Sequence, residues 1–172
     1  MEAVARKHGI PEVPTDDLHS RDYIEKLRKM DIDVILFGVS KILKKELLEV
    51  PEKGCLNKHC ALLPDYKGLW PVFWALLNGE KEVGVTIHYM TAGIDEGGIL
   101  AQKAVPVGPE DTVFSLYEKC FRIAPDLIGS VLDGIESGKP QEIVNGKGKG
   151  AYFSFPGRED VQRLRKMGKR FL

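Results

Sequence analysis

Short apolar runs alternate along the chain with longer segments in which apolar residues recur at helical spacing. Residues 33–39 (DVILFGV) are almost continuously apolar, which is typical of a strand covered on both faces. Residues 55–59, 84–90 and 99–107 are predicted as further strands from their length, apolar content and flanking turn residues. The pattern therefore predicts a sheet whose strands are separated by helices.

Five segments have the periodicity or the boundary residues of helices. They are residues 21–30 (introduced by Ser20), 42–50 (ended by Pro51), 70–78 (closed by Gly79), 112–137 and 158–171. Pro125 lies inside the fourth segment, and because proline removes a backbone donor, a break or kink is predicted there. Residues 145–150 (NGKGKG) are too rich in glycine for regular structure and are predicted to form a loop.

Alternation of strands with helices indicates the α/β class. We predict a Rossmann-like, mostly parallel sheet flanked by helices. The 172 residues have the length of one domain. We assign residues 1–140 to this domain and residues 141–172 to a Gly/Lys-rich loop and a basic C-terminal tail.

Composition narrows the class of protein. Hydrophobic residues make up 43% of the chain and charged residues 29%, the balance of a globular protein that buries a core. The formal net charge is zero, so the overall charge of the protein does not favour binding to nucleic acid or to a membrane surface. No apolar run is long enough to cross a bilayer, and the N-terminus lacks the apolar block of a signal peptide. We therefore expect a cytoplasmic protein.

The charge is nevertheless unevenly distributed. From Lys139 to the end, nine Lys or Arg residues stand against three acidic ones. A charge run of this kind is usually the solvated face of a helix. The alternative is that it guides a substrate that carries phosphate.

The three cysteines, Cys55, Cys60 and Cys120, are an odd number and fit a reducing compartment better than a disulfide framework. Cys55, His59 and Cys60 are close enough in sequence to suggest metal binding. A second pair of ligands at zinc spacing is missing, however, and neighbouring residues of a strand point to opposite faces. We expect no metal site.

Two groups of polar residues follow predicted strands, where open sheets usually carry their active sites. Asn57 and His59 are two residues apart on one strand and share a face. Asp95 lies among glycines that let the backbone turn tightly. An amide, an imidazole and a carboxylate supply the oxyanion donor, proton carrier and orienting group of acyl transfer. Each residue also has a purely structural interpretation, respectively as a turn cap, a core histidine and a turn residue.

The run from Gly54 to Leu100 resembles the folate-dependent formyltransferase family. Its motifs occur here in the family's order: Asn-x-His, Leu-Leu-Pro, Tyr-x-Gly, a Gly-x-Thr strand and an Asp-x-Gly loop. The resemblance implies that Asn57, His59 and Asp95 are catalytic. It further implies that 10-formyltetrahydrofolate is the formyl donor and that no metal is needed.

The same resemblance implies the remaining parts of the site. The folate pocket would be lined by two loops, with the residues Lys41, Ile42, Leu43, Ala92, Gly93, Ile94 and Asp95. Asn57 and His59 would hydrogen-bond the developing oxyanion. Asp95 would hold His59, assist proton transfer and raise the pKa of His59 by its negative charge.

Some positions depart from the family pattern. Cys60 and Ala61 follow His59 where many members have proline and serine. Trp70 either lines the acceptor pocket or packs into the core between helix and sheet. His88, a histidine in several branches of the family, is either a site residue or a partly buried strand residue.

The resemblance also concerns the two ends of the chain. Family members begin with a strand, a helix and a strand that we expect this shortened chain to lack. The exposed sheet edge could then be covered in a homodimer. The residues after 140 do not resemble the barrel domain of the tRNA enzyme.

The function implied is formyl transfer to the amine of a small molecule, for instance an amino sugar. Methionyl-tRNA is a less favoured acceptor, because the residues after 140 do not resemble the barrel domain of the enzyme that acts on it. Two alternatives remain open. One is a formyltetrahydrofolate deformylase that uses water, and the other is a catalytically impaired folate-binding remnant.

Overall fold

The computed structural model describes residues 2–38, 41–146 and 150–172, which contain six helices and six strands. The helices are α1 (Glu2–Lys7), α2 (Arg21–Arg28), α3 (Lys45–Leu48), α4 (Pro71–Leu77), α5 (Val113–Glu136) and α6 (Arg158–Lys166). The strands are β1 (Ile35–Phe37), β2 (Cys55–His59), β3 (Lys67–Gly68), β4 (Glu82–Tyr89), β5 (Ile99–Pro106) and β6 (Tyr152–Phe153).

Four strands form the main sheet in the order β1-β2-β4-β5. The α/β class and the flanking helices are confirmed. The β1–β2 pair is parallel as expected, whereas the β2–β4 and β4–β5 pairs are antiparallel, so the described sheet is mixed. The short 90–98 connection accounts for the last pair, because a parallel crossover needs a dozen or more residues.

Both faces of the sheet are covered by hydrophobic clusters. Successive residues of β2 divide between them: Leu56 belongs to the larger cluster with α4 and α5, and Cys55 to the smaller cluster with α2 and α3. This is the period-two alternation of a strand. A sheet buried on both sides holds the end of β2, and therefore Asn57 and His59, on a rigid support.

The predicted elements are confirmed with small shifts at their ends. The strand predicted at 55–59 coincides with β2, and the helices are up to five residues shorter than predicted, most of all α3 and α6. Val39, at the end of the strand predicted at 33–39, lies outside the described residues, as do residues 147–149 of the predicted loop. The sequence pattern did not indicate α1, β3 or β6.

The break predicted at Pro125 is wrong, because α5 runs unbroken from Val113 to Glu136. The carbonyl that loses its helical donor is that of Phe121, four residues earlier. Phe121 and Pro125 both lie on the exposed side of the helix, where water can hydrogen-bond that carbonyl. The helix therefore continues.

The C-terminal segment packs onto the rest of the chain. β6 pairs in parallel with β3, and Leu164 of α6 is fully buried in the larger cluster. Phe153 stacks between Tyr66 and Trp74, with ring centroids 5.3 and 5.0 Å away. The basic residues of α6 remain on the exposed side, but the segment as a whole helps to build the wall of the site described next.

Candidate active site

Asn57, His59 and His88 lie side by side on β2 and β4. Asn57 and His88 are opposite each other in the antiparallel pair, and Asn57 Nδ2 is 3.3 Å from His88 Nε2. His59 follows two residues after Asn57 on the same face, as the alternation predicted. Strand pairing therefore brings together three side chains that are up to 31 residues apart in sequence.

Asp95 completes this group from the short connection between β4 and β5. Its Oδ2 accepts a hydrogen bond from the backbone N–H of Gly68 at 2.8 Å, and its Oδ1 lies 3.4 Å from both Asn57 Nδ2 and His88 Nε2. Only about a tenth of the Asp95 side chain is exposed. The carboxylate thus stands at the centre of the polar group.

The pKa of Asp95 is lowered to about 2. Burial opposes ionisation, but the hydrogen bond with His88, the nearby His59 and the N–H of Gly68 together outweigh it. Asp95 is therefore ionised at neutral pH.

The tautomer of His59 follows from its hydrogen bond. Nε2 lies 2.8 Å from the carbonyl oxygen of Tyr66, and because a carbonyl can only accept, Nε2 carries the hydrogen. Nδ1 faces Asp95 Oδ2 at 3.6 Å. In the neutral ring this nitrogen has a free lone pair beside a carboxylate oxygen, so the position between them suits a transferred proton.

Asp95 has the predicted effect on the pKa of His59, but the net shift is downward. Burial is the largest influence and lowers the pKa below its ordinary 6.5, aided by the electrostatic effects of His88 and Lys58. Asp95 and the Tyr66 carbonyl act in the expected upward direction but are outweighed. His59 is thus a neutral imidazole at pH 7.

His88 was interpreted from the sequence either as a site residue or as a partly buried strand residue. In the structure it is buried and also belongs to the polar group. It is 2% exposed, and its Nδ1 donates to the carbonyl of Tyr89 at 2.8 Å. Nε2 lies between the Asn57 amide nitrogen at 3.3 Å and Asp95 Oδ1 at 3.4 Å, so it can accept from the amide or, where it carries a hydrogen, donate to the carboxylate. His88 thereby orients Asn57.

A buried polar network supports the loop that follows His59. Thr86 donates to the carbonyl of Ala61 at 2.6 Å and accepts from the N–H of Leu63 at 3.2 Å, while Gln102 donates to Thr86 and to the Leu63 carbonyl. Thr86 is fully buried. Three of the four hydrogen bonds join a strand to this loop and the fourth joins β5 to β4, so the network fixes the path of the chain from His59 towards Tyr66.

Backbone strain is concentrated around the site. Of the four non-glycine residues with positive φ in the described chain, three border it: Tyr66 (57°), Trp70 (55°) and Asp95 (51°). Conformations of this kind cost about 1–3 kcal/mol each and persist where surrounding contacts enforce them. The backbone is also tightly packed at Gly97, where a Cβ would overlap the carbonyl oxygen of Tyr89.

Asn145, which the sequence pattern did not single out, holds the Asp95 loop from the far end of the chain. Its Nδ2 donates to the carbonyls of Asp95 at 2.9 Å and Gly97 at 3.0 Å. Two carbonyl partners require the amide nitrogen to face them. Asn145 is 2% exposed. The fold alone reveals this contact, since about 50 residues separate the partners.

Replacing Asn145 with Ala is expected to lower the free energy of unfolding by about 1–3 kcal/mol, because two buried carbonyls lose their donor. Urea unfolding followed by circular dichroism measures this change. Val144→Ala is the matched control, since Val144 is 87% exposed and its loss should change stability by no more than about 0.5 kcal/mol. Equal stability of the two variants would show that Asn145 does not hold the loop.

The polar group opens into a cavity of about 460 Å³. All the residues assigned to the site from sequence line it, including His88 and Trp70. The lining includes the segment Lys41, Ile42 and Leu43 and the segment Ala92, Gly93 and Ile94. Lining a common cavity is what a shared site requires, but the role of each residue stays a prediction.

Five aromatic side chains also line the cavity and are called the aromatic wall; of these, only Trp70 was predicted from the sequence. The rings belong to Trp70, Tyr117, Phe121, Tyr152 and Phe155. Trp70 meets Tyr117 edge to face at 6.3 Å and also contacts Phe171, so it lines the cavity while it packs against α5. Tyr152 and Phe155 come from the C-terminal segment, which therefore forms part of this wall.

Two observations concern metals and membranes. Within residues 2–38, 41–146 and 150–172, no group of three or more His, Cys, Asp or Glu side chains is arranged to hold a metal ion. Among the helices of the same ranges, none combines the length and apolarity needed to span a membrane.

Comparison with known proteins places these features in a family. A family model described as Formyl transferase matches residues 3–132. The methionyl-tRNA formyltransferase of Trichlorobacter lovleyi is 36% identical over 140 residues, which are 81% of this chain and 44% of that protein. The chain thus spans less than half the length of this relative.

Solved structures show the same fold. A sugar N-formyltransferase from Shewanella superposes with a TM-score of 0.73 at 24% identity, covering 94% of this chain and 69% of that one. The formyltransferase PseJ from Anoxybacillus kamchatkensis, solved with a formamido sugar nucleotide and tetrahydrofolate, gives 0.67 at 26% identity, covering 90% and 76%.

Proposed function

Because this chain belongs to the formyltransferase family, we propose that it transfers a formyl group from 10-formyltetrahydrofolate to the amine of a small molecule. One observation carries the proposal: Asn57, His59, His88 and Asp95 converge in a single cavity that is lined both by residues 41–43 and 92–94 and by five aromatic side chains. We propose that a donor and an acceptor bind in this cavity against the same polar group.

The wall formed by residues 41–43 and 92–94 suits the flat, polar-edged ring of a folate. Ile42 and Ile94 both line the cavity with exposed side chains, 71% and 42% respectively, and offer apolar surface to ring faces. Gly93 lets the backbone approach the ring edge without a side chain. The tetrahydrofolate bound to PseJ supports this assignment of the donor.

Asn57 is proposed to stabilise the negative charge that develops on the formyl oxygen when the amine nitrogen bonds to the formyl carbon. Its amide nitrogen is held by long contacts of 3.3 and 3.4 Å to His88 and Asp95, which leaves donor capacity for a stronger acceptor. The Nε2–H of His59 is engaged by the Tyr66 carbonyl. In this geometry Asn57, rather than His59, is the oxyanion donor.

His59 is proposed to carry the proton that the amine loses. Nδ1 has a free lone pair, and the imidazolium formed on protonation would lie between the Asp95 carboxylate and the Tyr66 carbonyl, both of which stabilise it. His59 then returns the proton to the donor nitrogen as its bond to the formyl carbon breaks. The products are a formamide and tetrahydrofolate, so atoms and charge balance.

The acceptor is proposed to enter along the aromatic wall. Trp70, Tyr117, Phe121, Tyr152 and Phe155 provide flat apolar surface for one face of a ring such as that of an amino sugar. A cavity of about 460 Å³ is also in the range of small-ligand sites. The sugar nucleotide bound to PseJ is consistent with an acceptor of this class.

Methionyl-tRNA is the second candidate acceptor, because the T. lovleyi relative carries that name. We rank it lower, since the formal net charge of this chain is zero and binding to nucleic acid generally depends on a basic surface. The basic residues of α6 are an exception to this neutral charge. If methionyl-tRNA is the acceptor, these residues are expected to contact it.

A screen of acceptors tests the proposal. The protein is incubated with 10-formyltetrahydrofolate and, separately, a panel of nucleotide-linked amino sugars, glycinamide ribonucleotide, methionyl-tRNA or no acceptor, and release of tetrahydrofolate is followed. Transfer to a small amine supports the proposal. Release that depends on methionyl-tRNA supports the second candidate, release without an acceptor indicates a deformylase, and no release with any acceptor contradicts transfer.

The pH dependence of turnover tests the role of His59. Because Nδ1 must be unprotonated to accept a proton and burial lowers the pKa of His59 below 6.5, kcat is expected to rise with pH through a midpoint below 6.5 and then stay level. Measurement from about pH 5 to 8 at saturating substrates gives the profile. A midpoint above 6.5 with the fold intact would contradict the assignment.

A homodimer is the proposed way to cover β1, which lies at the edge of the described sheet. Leu36 of this strand is 46% exposed. Unpaired edge strands readily pair with another chain. Sedimentation velocity at the assay concentration measures the mass, and a monomer would count against the dimer.

A further inference from the structure

Lys67 is a buried lysine next to the site. Its side chain is 5% exposed, although it belongs to the two-residue strand β3. Lysine is almost never buried to this degree unless its charge is paired. Within the described ranges its ion-pair partner is Glu96, with Nζ 3.5 Å from Oε1. The pair therefore joins β3 to the residue that directly follows Asp95.

Glu96 extends this contact to the lining of the cavity. Its carboxylate packs so closely against Gly93 that a Cβ at residue 93 would overlap it. Gly93 belongs to the segment 92–94 that lines the cavity and is proposed above to face the folate. The Glu96 carboxylate thus contacts both Lys67 of β3 and the middle of this segment.

Asp95, between these contacts, has a backbone conformation that needs support. Its φ of 51° lies in the left-handed region, where a non-glycine residue persists only if its surroundings enforce it. β3 supplies two adjacent contacts, since the N–H of Gly68 donates to Asp95 Oδ2 at 2.8 Å and Lys67 pairs with Glu96. Two consecutive residues of β3 therefore hold two consecutive residues of the loop.

We propose that Lys67 is a positioning residue for the transfer site. Through Glu96 it holds the loop 92–96 so that Asp95 faces His59 and the segment 92–94 faces the folate. Lys67 is not among the described residues that line the cavity, so it acts through Glu96 and not by touching a substrate. This inference rests on the proposed formyl transfer.

Lys67→Met tests the role, because methionine keeps an unbranched apolar side chain and removes the charge. kcat should fall by about tenfold or more, since displacing a reacting group by about 1 Å can cost up to about a hundredfold. The KM for 10-formyltetrahydrofolate should rise about tenfold, roughly the cost of ordering one loop residue on binding. The KM of the acceptor should not change. Lys67→Arg, which keeps the charge, should recover most of both losses.

Lys53→Met is the matched control. Lys53 pairs with Asp33 at 3.3 Å and is not among the described residues that line the cavity. Its loss should leave kcat and both KM values unchanged. A purely structural role of Lys67 would reduce the amount of folded enzyme and leave the folate KM as it is. The folate KM therefore separates positioning from a general effect on stability.

Glu96→Gln tests the partner and does not depend on whether Lys67→Met folds. The Glu96 side chain is 40% exposed, so this change is milder for the fold. It should raise the folate KM in the same direction as Lys67→Met. The double variant should be no worse than the more affected single variant, because both changes break one contact. Effects that multiply in the double variant would overturn the proposal.

Binding of tetrahydrofolate, measured by calorimetry without an acceptor, separates this inference from the proposed function. Wild-type protein that neither binds tetrahydrofolate nor transfers a formyl group would reject both. Affinity about tenfold weaker in Lys67→Met, but unchanged in Lys53→Met, supports the positioning role. Wild-type affinity and wild-type folate KM in folded Lys67→Met would overturn that role alone and leave the proposed function standing.

Discussion

Replacing Asp95 with Asn is expected to reduce kcat for formyl transfer by about a thousandfold, in the range found when a positioned proton-transfer group is removed. The amide can still accept the N–H of Gly68, so the loop can keep its place. It carries no negative charge, however, and no longer stabilises protonated His59. Steady-state release of tetrahydrofolate measures the change.

The same substitution should lower stability in a way that depends on pH. Because folding lowers the pKa of Asp95 from 3.8 to about 2, its ionised form stabilises the fold by roughly 2 kcal/mol above pH 4. This contribution is lost as pH falls through about 2. Asp95→Asn removes it at all pH values, so urea unfolding at neutral pH must accompany the kinetic assay.

Asp65→Asn is the matched control for Asp95→Asn, because Asp65 is exposed on the neighbouring loop. It should leave both kcat and stability unchanged. Folate binding, measured by calorimetry, should be retained in both variants. Turnover of folded Asp95→Asn within a few-fold of the wild type would reject the proposed role of this carboxylate.

Replacing His59 with Asn is expected to lower kcat by about two to three orders of magnitude, again the effect of losing a general base. Asparagine can still reach a backbone partner but offers no nitrogen that titrates near neutral pH. The acid limb of the pH profile should disappear with the activity. Rates of the variant at several pH values test both expectations.

His8→Asn is the control for His59→Asn, since His8 is exposed near the N-terminus, far along the chain from the site. It should behave like the wild type in rate and in pH profile. An acid limb that persists unchanged in His59→Asn would assign the titration to another group and contradict the proton-carrier role of His59.

Local patterns accounted for most of the secondary structure. β2 has the bounds predicted for it, Cys55–His59, although only Cys55 and Leu56 of its five residues are apolar. The prediction that Asn57 and His59 lie on the same face required only the two-residue period of a strand. The break predicted at Pro125 does not occur. The effect of a proline depends on whether the freed carbonyl can reach water, and that depends on which face of α5 is exposed.

The antiparallel direction of the β4–β5 pair follows from the short 90–98 connection, which is already visible between the strands predicted at 84–90 and 99–107. The direction of the β2–β4 pair is given only by the fold, because these strands are connected through α4.

The net pKa of His59 also depends on the fold. The effect of the Asp95 charge was predicted from the family resemblance, whereas the burial that outweighs it exists only after packing.

The sequence by itself determined the α/β class, the family resemblance and the residues Asn57, His59 and Asp95, because these depend on periods and spacings within short stretches of chain. Only the tertiary structure decided the contacts of Asn145 with the Asp95 loop and of β6 with β3, and the aromatic wall. Each of these joins segments about 50 or more residues apart. Such contacts form when burial of apolar surface brings distant segments together, and no local pattern encodes which polar groups then meet.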